Sequence, residues 1–497
     1  MLHNISLPVC SGGWNARDPL NGMAPGDAII YDNVIHENGK DRVRPGYELF
    51  VAAPADLLFS YNKKNHWRLL AMAGSVMTAY DAAANVMLTH DFGAGSQNQQ
   101  ATTFIDGAGN VHSILADGNL HVWDYTVSDA GVDSIKEAAF TGATNLSFPF
   151  SYKNRLWFIE PYSCNLYYGD LQAVQGELKK FFVGPYFKHG GYLIAMASWT
   201  QDGGDGMDDQ LVLLSSEGEV LIYSGLSPTD DNWRLVGRYE IPKVFNAKSI
   251  AQIKGDLIMA TPVGYIPLSS VLAELSASKV AISDKINGAV NGKSIIAPNW
   301  KIVYWANKGW IWVNAPTNEN GLLYETHMFN LNNGTCSRLL GHDMRDMCVS
   351  DGNMYFTNPD GIFVVGGTTD NGAPIKWRIQ PAYSDFGIKQ RKKVMRATIH
   401  MSAISITDLY KFVWTDFDET LRTFVYNDAA DTDGLAQWNT AEWNTAKWAD
   451  IVSMHNIRAG IAHAPAFYIS VGFWGSSTVE TDMLGSDISL VIGKGVV

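Results

Sequence analysis

The chain has 497 residues, a formal net charge of −13, and 46 Gly, 16 Trp, 21 Tyr and 21 Phe against only 18% charged residues. That length suits about three domains, or fewer if one closed β architecture absorbs most of it, and the acidic balance excludes a protein that wraps DNA by neutralising phosphates. Aromatic and Gly enrichment favours strands joined by tight turns, so the expected class is mainly β.

The first residues, MLHNISLPVCSGGW, alternate short apolar and polar pieces. They lack the basic start and apolar run of a signal peptide, which predicts synthesis in the cytoplasm. The richest apolar run, PAFYISVGFWG, falls well short of bilayer length, so no membrane insertion is expected. Cys10, Cys164, Cys336 and Cys348 lie far apart without a C-x-x-C pair, predicting reduced, buried thiols. Residues 1–55 read as an extended N-terminal arm with the first strands. Within it SGGWNARDPLNGMAPGDAIIYDNVI, from Ser11 to Ile35, is punctuated by Pro and Gly and ends in a short β-prone run.

From residue 56 onward an apolar run, a turn and a second apolar run recur. The sharper copies turn at Asp117-Gly118, Glu217-Gly218, Val263-Gly264 and Asp360-Gly361; looser ones turn at Gly74, Asn165 and Gly321. Their starts, near 67, 111, 155, 211, 257, 310 and 354, are about 44 to 56 residues apart, the length of one propeller blade. Runs such as Leu211 to Leu214 are apolar at consecutive positions, as strands covered on both faces are. A β-propeller of about seven blades over 56–370 is therefore expected; a pair of large β-sandwiches would carry the same hairpins. Within this region, SPTDDNW at Ser227 to Trp233 faintly echoes an Asp-box turn but occurs once and lacks its ending. In QDGGDGMDDQ, Asp202, Asp205, Asp208 and Asp209 supply the carboxylates a hard cation needs, without EF-hand spacing, so a plain acidic loop is the simpler reading. One helix is expected from IPLSSVLAELSASK to Ile286, capped by Ser269 or Ser270, with Leu272, Leu275 and Val280 on one side.

After Gly366-Gly367 the pattern changes, and 371–497 reads as a separate C-terminal β-rich domain. It carries the one dense basic patch, Lys389, Arg391, Lys392, Lys393 and Arg396, which suits DNA phosphates or an acidic partner subunit equally. Asp416 and Asp418 stand two apart, as a catalytic pair would, although a solvated turn explains them as well. Trp438, Trp443 and Trp448 recur every five residues, which fits neither a helix face nor a strand face and predicts an aromatic-anchored loop. These indoles either pack the domain or stack on sugars. The 12 histidines form no H-E-x-x-H, and no G-x-S-x-G elbow or P-loop is present. VWDY at Val122 and GHD at Gly341 echo WD-repeat punctuation without recurring. No catalytic, metal or cofactor residue is assigned, and an enzyme is not expected.

The N-terminal stretch, continued by GKDRVRPGYELF, resembles the start of virion proteins of tailed phages, with a G-G-x-N-x-R-D-P stretch, an M-x-x-x-D-A segment, a D-N and an R-x-G-Y-E. The matching residues are Gly12, Gly13, Asn15, Arg17, Asp18, Pro19, Met23, Asp27, Ala28, Asp32, Asn33, Arg44, Gly46, Tyr47 and Glu48, with Pro45 inserted. DNWRLVGRYEIPKVFNAKSIAQIKGDLIMATPVGYIPLSSVL is similar to a mid-chain segment of the same group, and AQWNTAEWNTAKWAD to its C-terminal tryptophan loop. The family implied is the tail hub or nozzle of short-tailed phages, the packaged-DNA stabilisation type, in the virion tail. The resemblance implies a β-propeller in a hexameric ring below the portal, lining the DNA exit channel and helping to retain packaged DNA until ejection. Its implied partners are further copies of itself, the head-to-tail adaptor, a tail fibre or tailspike, and double-stranded DNA passing without sequence readout. Gly13, Trp14, Asn15, Arg17, Asp18, Pro19, Asp32 and Asn33 would then belong to an assembly arm that adds a strand to a neighbour or to the adaptor. The alternative is a glycan-binding or glycan-cleaving propeller on the same tail.

Overall fold

Each repeated hairpin except that at Val263-Gly264, which ends a three-stranded sheet, forms the middle of a larger antiparallel sheet in the computed structural model, which describes residues 2–93, 99–200, 209–273, 281–291, 293, 300–317, 323–403, 408–418, 423–426, 435–436, 447–448 and 465–493. The copy that turns at Gly118 is typical. Val111–Ala116 pairs with Val122–Val127, while Gln100–Ile105 and Asp133–Glu137 complete the two sides. The turn needs its glycine: φ is +88° at Gly118, a conformation that costs a residue with a Cβ.

Four-stranded meanders also occupy 57–91, 147–182, 193–240 and 301–339, and three strands occupy 250–267. A last group takes Asp346–Ser350, Asn353–Asn358 and Gly361–Val365, and its fourth strand, Tyr47–Val51, comes from the N-terminal segment. The first strands of successive groups lie toward one another, and the circuit closes where Asp346–Ser350 packs on Leu57–Lys63. There the Leu58 N–H donates to Asp346 Oδ2 at 2.7 Å, and the Ser60 and Ser350 hydroxyls meet at 2.6 Å. A closed circuit of small meander sheets, sealed by a strand from the other end of the chain, is a β-propeller.

The consecutive apolar residues of the second strands follow from this packing. Along Asp209–Ser215, Leu211 and Leu213 enter a core with Trp157 and Tyr223, whereas Val212 and Leu214 enter another with Trp199 and Leu257. Successive side chains point to opposite faces of a strand, so both faces are covered by neighbouring sheets.

The two ends of the chain fold together. Leu2–Leu7 pairs along Asp482–Ile492, which also pairs with Lys392–Ser402. Asp27–Asp32 pairs with Ala373–Pro381, which pairs in turn with Ile469–Ser477. Residues 371–497 are thus not a separate unit: their sheets include N-terminal strands, and one core holds Trp14, Ala28 and Tyr31 with Trp377, Val394 and Ile488. The expected helix begins ahead of both serines proposed as its cap. A strand runs to Pro267, the helix spans Leu268–Ala273, and Ser269 lies inside it, its hydroxyl bonding Asp256. Leu275 and Val280 lie outside the described residues, and Asn287–Asn291 forms a second short helix. All four cysteines are free; Cys10 and Cys336 are buried, but Cys164 and Cys348 only half so. Among the described residues no helix is long and apolar enough to cross a membrane.

Candidate functional site

The N-terminal stretch, expected to reach out to a neighbour, is bonded throughout to its own chain. Gly13 has φ +70°, and a Cβ there would fall 2.7 Å from the Cys336 carbonyl, so only glycine admits this close approach. Trp14 is buried beneath the Arg338 guanidinium, which lies 5.1 Å above its ring. Asn15 donates from Nδ2 to Asp27 at 2.7 Å and to Asp18 at 2.9 Å, and its Oδ1 accepts the Arg17 and Asp18 N–H groups. Arg17 pairs with Asp18 and with Asp284, and Lys285 pairs with Asp27, tying the loop to the segment after the first helix. The bond from Arg17, then that from Asn15, holds the Asp18 carboxyl down at about 2. Pro19 accepts the Gly22 N–H in the following turn. The strand Asp27–Asp32 pairs within its own chain, with Ala373–Pro381 and with Gly13–Trp14.

The Asp-Asn and Arg-x-Gly-Tyr-Glu portions form the other half of this clasp. Asp32 accepts from Arg338 at 2.6 Å and from Arg378 at 2.7 Å. Asn33, left-handed at φ +58°, donates to the Lys376 carbonyl and accepts from Leu340 N–H and Arg44 Nε. Short Asn side chains tolerate that backbone and bond locally. The buried Arg44 spends its remaining donors on Asp370 and on the carbonyls of Pro45 and Leu340. Beneath Trp14, Tyr265 Oη meets His327 Nδ1 at 2.6 Å and His327 Nε2 meets Glu325 at 2.7 Å. Burial holds His327 well below its ordinary pKa, hence neutral. The arrangement has the form of a proton relay, but His327 is wholly enclosed and Trp14 packs edge-on at 5.5 Å, so it braces the arm and has no face for a substrate.

The basic residues do not form one patch. Successive residues of Lys392–Ser402 alternate between faces, and Lys392 is fully buried, donating to the carbonyls of Ile388 and Phe467. Lys389 is exposed but paired with Asp385, and the Arg391 guanidinium lies 5.1 Å from the Phe467 ring. Lys393 and Arg396 are half-buried on the strand paired to Asp482–Ile492. Lys392 is therefore removed from any docking surface. Trp438 and Trp443 lie outside the described residues, and Trp448 lies in the two-residue strand Lys447–Trp448. Asp202, Asp205 and Asp208 are likewise outside; Asp209 accepts from the Thr200 hydroxyl at 2.6 Å. Asp416 caps a turn, its Oδ1 accepting from Phe467 N–H and Tyr468 N–H at 2.8 and 2.9 Å, and Asp418 lies in the same turn, its N–H donating to the Thr415 carbonyl. Ser227 bonds Asp230 in a plain turn that seats Trp233 against Trp157 and Tyr223.

Sequence reasoning did not find the cavity where the sheets converge. It has a volume of about 380 Å³, and Phe59, Gln100, Phe150, Met196, Ile250, Ile302 and Asp346 each bring it one sheet's first strand. Lys301 Nζ donates to Asp346 Oδ1 at 2.7 Å. Lys248 also lines it. Its backbone is fixed by a capping box, Asn246 Oδ1 accepting from Lys248 N–H and Ser249 N–H while the Ser249 hydroxyl bonds back to Asn246. Lys248 is exposed, yet desolvation by the surrounding atoms lowers its pKa, an effect Asp346 opposes and Lys301 assists. Gln99 is 1% exposed with neither amide atom bonded among the described residues. The only sequence signal was a polar residue at the start of otherwise ordinary strands. Among the described residues no group of three or more His, Cys, Asp or Glu could hold a metal.

The sheet circuit defines the class as a β-propeller. No protein-family model matches the chain, and no characterised protein matches it in sequence. Among solved structures it is similar to a chain of the mitotic checkpoint complex, at 11% identity and TM-score 0.39 over 70% of this chain and 95% of that one. It is similar to the WD40 domain of SCAP from fission yeast at 13% identity and TM-score 0.33, over 60% and 81%. BBS1N in complex with ARL6DN gives 9% identity and TM-score 0.41, over 65% and 97%. At such scores these likenesses carry no argument, and the fold rests on the sheet order and circuit above.

Proposed function

We propose that this chain is a structural subunit of the tail hub or nozzle of a short-tailed phage, its sheets forming seven blades of one propeller and its copies forming a ring around the DNA exit path. The observation that carries the reading is that the residues bearing the resemblance form two bonded halves of one clasp within the chain. Asn15, Asp18, Asp27, Asp32, Asn33 and Arg44 are linked to one another or to residues 284–285, 338–340 and 370–378. These positions therefore specify the architecture, and a shared pattern at them supports a shared architecture. The acidic balance supports the same reading: about six copies of −13 give about −78, and a lumen of that sign repels phosphates and lets duplex slide. Since Asp27–Asp32 is paired within the chain, it is not the strand that makes the ring contact.

Native mass spectrometry of the purified full chain, alone and with the cognate adaptor, tests the proposal. A closed ring of about six copies, as cyclic symmetry allows, is expected with the adaptor. A monomer under both conditions contradicts it.

A further inference from the structure

We propose that the groove beside Tyr162 is a binding site for a neutral saccharide, stacked on the Tyr162 and Tyr192 rings and hydrogen-bonded by Asp117 and Ser216. The inference concerns the surface of one subunit, so it holds or fails apart from the ring assembly. The groove has a volume of about 600 Å³ and runs between the turns of three successive sheets, lined by Asp117, Asn119, Pro161, Tyr162, Tyr192 and Ser216. Tyr162 is 83% exposed, more than any other large apolar or aromatic side chain among the described residues. Its backbone holds that exposure at a cost. Glu160, Pro161, Tyr162 and Ser163 form a β-turn closed by the Ser163 N–H donating to the Glu160 carbonyl at 3.3 Å, and φ is +56° at Tyr162. With proline second, the third position of such a turn favours Gly or Asn, and a bulky residue there is strained. The ring stands in solvent, so core packing does not offset that strain. Strain kept for the sake of an exposed ring points to a use for the ring.

The turn is also firmly tied. The Ser163 hydroxyl donates to the Glu160 carbonyl at 3.0 Å, the Leu193 N–H donates to the Ser163 carbonyl at 2.9 Å, and Asn165 Nδ2 donates to the Glu160 carboxylate. Pro161 sits directly against the neighbouring turn, where a Cβ on Gly118 would fall 2.6 Å from its Cγ. That contact brings Asp117 and Asn119 beside the tyrosine. The Tyr192 ring lies 5.4 Å from the Tyr162 ring at 65°, so the two make an open corner. The face of an aromatic ring is negative and takes the C–H bonds on one side of a pyranose, while the hydroxyls around the sugar's edge need donors and acceptors. Each Asp117 carboxylate oxygen accepts one bond from Asn119, both at 2.9 Å, which leaves lone pairs for sugar hydroxyls. The Ser216 hydroxyl accepts the Tyr192 N–H at 3.2 Å and keeps its own proton to donate. A quaternary ammonium is held by a cage of rings, which a two-ring corner does not provide. A preformed groove of this size, with aromatic walls and a few convergent polar groups, is that of a ligand site.

The test is isothermal titration of the full-length protein with maltohexaose, cellohexaose, laminarihexaose and chitohexaose, with choline as the comparison probe. At least one of these saccharides should bind once per chain, and choline at least tenfold more weakly. Tyr162→Asn, which suits the left-handed backbone, should weaken that saccharide at least tenfold without lowering the melting temperature, whereas Tyr162→Phe should bind it almost as well as the wild type. Phe182→Ala, at an exposed ring outside the groove, should leave binding unchanged. In the wild-type protein, saturating saccharide should slow nitration of Tyr162 by tetranitromethane at least tenfold, a readout that depends on no variant. Failure of every saccharide to bind, tighter binding of choline, wild-type affinity in Tyr162→Asn, or nitration of Tyr162 unaffected by bound saccharide would each overturn the proposal.

Discussion

The Arg44 guanidinium and the Asp370 carboxylate meet in two bonds of 2.8 Å each, although 326 positions separate them in the chain. Arg44 immediately precedes Tyr47–Val51, the strand that completes the last sheet, and Asp370 follows Gly361–Val365, its partner. The pair therefore locks the junction at which the circuit of sheets is closed.

Asp370→Ala should destabilise the whole propeller. It leaves a buried guanidinium with only neutral acceptors, and breaking a buried ion pair costs about 3–5 kcal/mol. Denaturant unfolding measures the loss. Asp129→Ala, at a fully exposed partner of Lys63, should leave the midpoint unchanged.

Gly46→Ala acts on the same junction. A Cβ at position 46 would fall 2.0 Å from the Thr369 carbonyl oxygen, whereas one at Gly366 meets nothing within 4 Å. The expected cost is about 1–3 kcal/mol for Gly46→Ala, typical of forced overpacking, and close to none for Gly366→Ala. Paired thermal melts decide it.

Much of this was legible beforehand, and what was not has a physical cause. The seven hairpins could be seen because second and third strands are covered on both faces and keep consecutive apolar residues, as at Leu211 to Leu214. The first strands escaped notice because one end of each borders the cavity; Gln100–Ile105, for instance, reads as polar and unremarkable. Asp32 and Arg44 stand in the motif, but their partners Arg338 and Asp370 lie 306 and 326 positions away, at distances no local pattern encodes. Lys392 was misassigned because a basic run on paper becomes two opposite faces once it is a strand.

Stability should depend on pH through His112. Its Nδ1 meets Asp124 at 2.8 Å and its Nε2 meets Asp106 at 3.2 Å. Burial would lower its pKa, but the bonds from Asp124 and Asp106 together outweigh burial and raise it. A histidine whose folded pKa is raised contributes stability that is complete below its unfolded value, about 6.5. That stability is lost as pH climbs through the folded value. Unfolding midpoints should therefore fall as pH rises above about 6.5, and His112→Asn should flatten that part of the profile.

Deletion of residues 11–35 should prevent folding and not merely assembly. It removes Trp14, Ala28 and Tyr31 from the core that also holds Trp377 and Val394. Soluble expression of the deleted chain with a cooperative melt would contradict the clasp described here.

The most direct measurement for the functional account is quantitative mass spectrometry of purified phage particles from a lysate in which this chain is made, counting its copies against the major capsid protein. The account predicts a low, fixed number, about six or a small multiple, consistent with one cyclic ring per particle. Absence of the chain from particles, with all of it left in the soluble lysate, would contradict the virion role.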